Sequence, residues 1–110
     1  MVEFMDGPCK TDLMLKNAPM FLRAVVDDKG KIDALDQVTD MPAPDEKVYV
    51  YRREGGFTQV HLHLSPRSQS GWYVMAKYRY LPDVDGEQVR ETDAWRAWLA
   101  EEIAAGREAR

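Results

Sequence analysis

Val48-Tyr49-Val50-Tyr51-Arg52-Arg53-Glu54-Gly55-Gly56, continued by Phe57-Thr58-Gln59-Val60-His61-Leu62-His63-Leu64, is the stretch on which the reading of the fold turns. Val48 and Val50 alternate with Tyr49 and Tyr51, and Val60, Leu62 and Leu64 alternate with Gln59, His61 and His63. An extended chain sends successive side chains to opposite faces, so each half reads as a strand with one face covered. Glu54-Gly55-Gly56 lies between the halves and predicts the turn of a hairpin.

Outward from this stretch the period of two persists. Ser65 to Gly71, with Pro66, reads as a polar loop, and Trp72 to Leu81 as the longest strand. Trp72, Val74, Ala76, Tyr78 and Tyr80 share one face of that strand; Tyr73, Met75, Lys77 and Arg79 share the other. Towards the N-terminus, Pro42 and Pro44 among acids make 39–46 a loop. Lys31 to Gln37 reads as a strand returning from Met20 to Val26 across the turn Asp27-Asp28-Lys29-Gly30, although Asp33-Ala34-Leu35-Asp36 does not alternate cleanly and fits a helical turn too. In the earlier strand Leu22, Ala24 and Val26 face one way, Phe21, Arg23 and Val25 the other. Two short strands precede it: Val2 to Met5, stopped at Asp6-Gly7-Pro8, and Leu13-Met14-Leu15.

After Pro82 to Gly86 the period changes. Trp95, Trp98, Leu99 and Ile103 follow the spacing of an amphipathic helix over residues 91–106, capped by Thr92 or Asp93 and ended by Gly106. Two tryptophans on one stripe demand cover, which the sheet supplies most economically. The expected fold is a single α+β domain over 1–110, with a β-rich segment over 1–81, a loop over 82–90 and then the helix. The sheet is a strongly curved antiparallel layer or small open barrel of about five to seven strands, and the one C-terminal helix packs on it.

Composition bounds the function. The chain has 110 residues, 45% hydrophobic and 31% charged, as expected of a globular protein. No apolar run approaches the roughly 20 residues of a membrane helix, and Glu3 and Asp6 argue against a signal peptide. Cys9 is the only cysteine, so an internal disulfide is impossible and a cytoplasmic location is expected. Net charge is −4 but segregated: −5 over 1–46, +5 over 47–80 and −4 over 81–110. Such a pattern either steers a charged partner or lets acidic flanks fold against a basic middle.

The residues offer little for catalysis. His61 and His63 form an H-x-H pair that could give a metal two ligands from one strand face, with any third coming from the N-terminal half. Ser65, Ser68 and Ser70 lack a glycine frame for a nucleophile, Cys9 after Gly7-Pro8 would be reactive only with a base placed beside it and is expected to be an ordinary buried thiol, and Gly55-Gly56 is no phosphate loop. Asp83, Asp85 and Glu87 have calcium-like spacing without the twelve-residue loop. No enzyme, cofactor or catalytic residue is expected. The basic and aromatic middle is the candidate contact surface: Tyr49, Tyr51, Arg52, Arg53, Tyr73, Lys77 and Arg79. Tyrosine and arginine are anchors of protein interfaces, and the same surface could stack and neutralise single-stranded nucleic acid. The first expectation is therefore a non-enzymatic binder of another protein, from a host or a virion; single-stranded nucleic acid is the alternative ligand. A second copy of the chain is a further candidate partner.

Val2-Glu3-Phe4-Met5-Asp6-Gly7-Pro8, followed by a short apolar strand and later by Val48-Tyr49-Val50-Tyr51-Arg52-Arg53, is similar to small uncharacterised proteins of actinobacteria and their phages. These open with a strand leading into a Gly-Pro turn; Asp6 stands here where a second glycine is more usual. The resemblance spans about half the chain. It implies a β-rich phage or prophage accessory protein and assigns no catalytic residue.

Overall fold

The computed structural model describes residues 1–62 and 71–108, with C-terminal side chains placed as far as residue 106. Strands β1 (Val2–Phe4), β2 (Thr11–Leu13), β3 (Phe21–Val26), β4 (Ile32–Leu35), β5 (Lys47–Leu62) and β6 (Gly71–Tyr80) precede helix α1 (Thr92–Glu108). The strands make one six-stranded sheet in the order β2-β1-β6-β5-β3-β4. It curls into a half-barrel, bringing the edge strands β2 and β4 towards each other, and the Asn17 amide reaches the Asp36 carboxylate at 3.4 Å. The α+β class and the curled sheet with one C-terminal helix are as the sequence predicts.

One pairing departs from the antiparallel expectation. β1 runs parallel to β6, with Val2 opposite Ala76 and Phe4 opposite Tyr78, while the other neighbours are antiparallel. The tight turn after Asp6 returns β2 onto β1 with Phe4 opposite Thr11, earlier than the predicted Leu13–Leu15. Leu15 instead leaves the strand, and its carbonyl accepts from the Val74 amide at 3.0 Å.

The predicted hairpin at Glu54-Gly55-Gly56 is absent. The chain continues through these residues as β5, which is 16 residues long and exceeds β6. Glu54 pairs with Lys77 and Thr58 with Met75, so β5 carries two more residues than β6 between those pairs. This is a bulge, and Gly55 takes the φ of +76° that it needs. The partner of both halves of β5 is β6, and the connection between them falls in 63–70, outside the described residues.

Inside the curl, Val2, Phe4, Leu22, Ala24, Tyr51, Val74, Ala76 and Tyr78 form the main core with Cys9, Leu15 and Ala18. Phe4 meets Tyr51 edge-on at 4.8 Å. The buried hydroxyls are satisfied: Tyr51 donates to the Asp6 carbonyl at 2.7 Å and Tyr78 to the Pro19 carbonyl at 2.5 Å.

The outer face of β3 and β5 carries a second core of Val50, Val89 and Trp95, with Phe21, Trp98 and Leu99 packed at its margin. Trp95 is buried and stacks on Trp98 at 5.2 Å, and Trp98 meets Phe21 edge-on at 5.0 Å. Only the first turns of α1 are covered. Ile103, expected in the packed stripe, is 53% exposed, because the helix outruns the sheet. Nor does Gly106 end the helix, which continues to Glu108; glycine can take helical angles at a cost of about 1 kcal/mol against alanine. The segment read as a plain loop holds a 3-10 turn, Gly86–Val89, capped by Asp85, whose carboxylate accepts from the Glu87 amide at 3.0 Å.

Arg23 ties these outer pieces together. It lies among apolar neighbours on β3, fully buried beneath Trp95, with its guanidinium 5.1 Å from an indole ring centre. One terminal nitrogen donates to the carbonyls of Val89 (3.2 Å) and Arg90 (2.7 Å), the other to those of Val38 (3.4 Å) and Asp40 (2.6 Å). Burial pulls its pKa below the usual arginine value, and the charge of Asp40 opposes that shift.

Candidate functional site

The seven nominated contact residues do not form one surface. Tyr51 belongs to the inner face, beside Tyr78, and is closed off from solvent. Tyr49, half-buried, leans edge-on against Tyr80 at 6.2 Å. Tyr73 is buried on the outer side of β6, with the Lys16 ammonium 5.7 Å from its ring centre. Neither Tyr51 nor Tyr73 can offer a ring face to a base.

The cations are engaged as well. Arg79 bridges Asp6 at 3.3 Å and Glu54 at 3.0 Å. Arg53 donates to the carbonyls of Ala18 (2.5 Å) and Gly55 (3.0 Å), and its guanidinium lies 4.8 Å from the Phe57 ring centre. Arg52 covers Phe21 at 5.9 Å, and Lys77 stands between Glu3 on β1 and Glu54 on β5 in the strand register. Of the two readings of the charge pattern, the geometry fits the one in which acids fold onto the basic middle. Exposed pairs of this kind are worth at most about 1 kcal/mol each, so they shape the field more than the stability.

The imidazole of His61 packs edge-on against Trp72 at 5.1 Å, and His63 lies outside the described residues. Ser65, Ser68 and Ser70 lie there too. The acidic side chains that approach one another are different ones: Asp27, Asp28 and Asp45 bring carboxylate oxygens within 4.8 Å. Asp27 is already the hinge of its turn, accepting from the amides of Lys29 (2.9 Å) and Lys31 (2.8 Å). Asp83, Asp85 and Glu87 line a shallow groove with Tyr49 and Tyr80. Hydrogen bonding from Arg90 holds the Glu87 carboxyl below the usual carboxylate range, which suits an ion pair rather than a proton donor.

Cys9 is buried beside Tyr51, whose hydroxyl accepts from the Cys9 amide at 3.0 Å. Burial pushes the thiol up to about 11, against a smaller opposing pull from the Tyr51 hydrogen bond. Burial raises Tyr51 and Tyr78 too. All three hold their protons more tightly folded than unfolded, so the native state loses stability as pH rises above the ordinary thiol value of 9.0. Chemical denaturation between pH 8 and pH 11 should show a midpoint that falls across this range. Each such group contributes up to about 1.4 kcal/mol per pH unit. Native Cys9 should resist a thiol reagent at pH 8 and react on unfolding. A midpoint that holds level to pH 11 would contradict this placement of the three groups.

What the sequence did not nominate is the outer half of the β5–β6 ribbon. β3 pairs with β5 only as far as Phe21 opposite Arg52. Past the bulge, among the described residues, β5 pairs with β6 alone, and its other edge has no strand beside it. This arm carries large exposed apolar side chains: Trp72 at 61%, Phe57 at 46% and Met75 at 50%. Trp72 sits at the end of a face that is buried further along β6, at Val74, Ala76 and Tyr78. Alternation alone therefore groups it with these residues on one face and does not show that it is exposed.

No protein-family model, no curated protein and no solved structure matches the chain. No helix among the described residues is long and apolar enough to cross a membrane.

Proposed function

We propose that the chain is a non-enzymatic binding module that takes up an extended segment of a protein partner by strand addition along the outer edge of β5. The observation that carries this reading is the edge of β5 from Gly55 to Val60, beside which no strand lies among the described residues, on an arm where Phe57, Trp72 and Met75 are exposed. An open edge offers a row of backbone donors and acceptors to another strand, and exposed aromatics beside it supply anchors. A role as a phage or prophage accessory protein, the setting that the N-terminal resemblance implies, belongs to the same proposal. Nucleic acid receives less support, because Tyr51 and Tyr73 are buried and Arg79 is paired with Asp6 and Glu54.

Selection from a random-peptide library, followed by amide chemical-shift mapping, tests the reading. Selected peptides should shift Thr58–Val60, and Trp72→Ala should weaken their binding about tenfold. A selection that yields no binder, or shifts centred on the Tyr49–Tyr80 groove, would overturn it.

A further inference from the structure

We infer that the cavity beside Arg52 and Arg79 binds an organic monocarboxylate with a short apolar body. The site draws on the outer face of the sheet rather than on the open edge of β5, so it stands whether or not strand addition does. Its volume is about 360 Å³, and Arg52, Arg53, Glu54, Gly55, Arg79 and Leu81 line it. Pockets for small molecules run from about 300 to 1,000 Å³, so the space suits a compact ligand.

Arg52 and Arg79 stand directly opposite each other in the β5–β6 register. Like charges so placed repel, and the fold compensates only one of them. Arg79 is held by Glu54 at 3.0 Å and by Asp6 at 3.3 Å. Arg53 donates to the carbonyls of Ala18 and Gly55, which carry no formal charge. Arg52 is exposed, and among the described residues its guanidinium meets only the Phe21 ring, at 5.9 Å. Three guanidiniums against the carboxylates of Glu54 and Asp6 leave one positive charge in excess, on a chain whose net charge is −4. A planar fork of donors without an acceptor is what a carboxylate completes, through two parallel hydrogen bonds. Glu54 belongs to the same wall, so a phosphate dianion would meet more repulsion there than a monoanion does. Leu81, half-buried at the margin of the Val50–Trp95 core, supplies apolar surface for the hydrocarbon part of the ligand.

Titration with sodium hexanoate at neutral pH and constant ionic strength, followed through backbone amides and arginine Nε–H signals, tests this. The Arg52 Nε–H and the amides of Gly55 and Leu81 should shift and saturate, with Kd of about 1–10 mM. Arg96, an exposed arginine on α1 outside the cavity, should not move. Arg52→Gln should weaken binding more than about fivefold with Tm within about 2 °C of wild type, and Arg52→Lys should weaken it less, since an ammonium keeps the charge without the fork. Inorganic phosphate should bind more weakly than hexanoate. An N-acetylated dipeptide ending in leucine identifies the source of the carboxylate: tighter binding than hexanoate assigns it to a chain terminus, and equal or weaker binding to a small acid. Shifts that do not saturate and are shared by Arg96, wild-type binding by Arg52→Gln, or phosphate binding tighter than hexanoate would each end the inference.

Discussion

Arg23→Met should lower stability by about 3–5 kcal/mol and Tm by more than about 10 °C in thermal unfolding. The guanidinium is the shared donor for four main-chain carbonyls, from Val38, Asp40, Val89 and Arg90. When a buried ion pair is replaced by apolar residues, both partners leave together and the loss can be small. Here the acceptors belong to the backbone and remain, facing an apolar side chain. Arg23→Lys should recover less than half of the loss, because an ammonium has three donors about one atom and cannot span two separate pairs of carbonyls. A Tm within about 3 °C of wild type for Arg23→Met would show that these carbonyls find water, and that Arg23 is not what joins the 38–40 segment to the end of the 3-10 turn.

Gly86→Ala should cost about 3 kcal/mol or more, by a different route. A Cβ there would stand 1.8 Å from the Val48 carbonyl oxygen and 2.4 Å from its carbon. Both atoms are backbone of β5, so neither can rotate away. The 3-10 turn must lift from the sheet, taking with it Val89 and Arg90, two of the residues that Arg23 holds. The two substitutions therefore act on one joint, and in combination should cost less than the total of their separate effects. Gly56→Ala is the control: nothing lies within 4 Å of its added carbon, its φ is not positive, and stability should change by no more than about 0.5 kcal/mol. Guanidinium denaturation of the three variants and the double variant measures all four quantities. Equal stability of Gly86→Ala and Gly56→Ala would contradict the close approach of the turn to β5.

The elements legible in the sequence are those whose signal is local. Met20 to Val26 and Trp72 to Leu81 alternate cleanly and are strands; Trp95, Trp98 and Leu99 recur at helical spacing and are helical. Gly55-Gly56 misleads because glycine serves a turn and a bulge equally well, and the choice between them is made by β6, more than a dozen residues away. The parallel seating of β1 against β6 has no local signal either. Arg23 does leave a trace, as the charged residue in an otherwise apolar strand, a pattern that calls for hydrogen-bond partners, which its two terminal nitrogens find in four carbonyls while Nε has none. For the candidate contact surface, alternation along the chain did not reveal how the sheet places the residues. Tyrosines and arginines of the middle segment were expected on one surface, whereas the curl of the sheet divides them between its faces and draws Asp6 and Glu54 onto Arg79. The exposure of Trp72 and Phe57 depends on where β3 stops, which nothing within β5 or β6 records.

The seating of β1 also governs the order of assembly. Val2 and Phe4 take their places between β2 and β6, opposite Ala76 and Tyr78. On the ribosome β1 emerges with only β2 to pair with, and its apolar side chains wait until β6 has been made. Closing so long a loop is slow compared with forming the β3–β4 hairpin. The nascent protein is thus most vulnerable to clumping in the interval after β1 has emerged and before the sixth strand clears the exit tunnel.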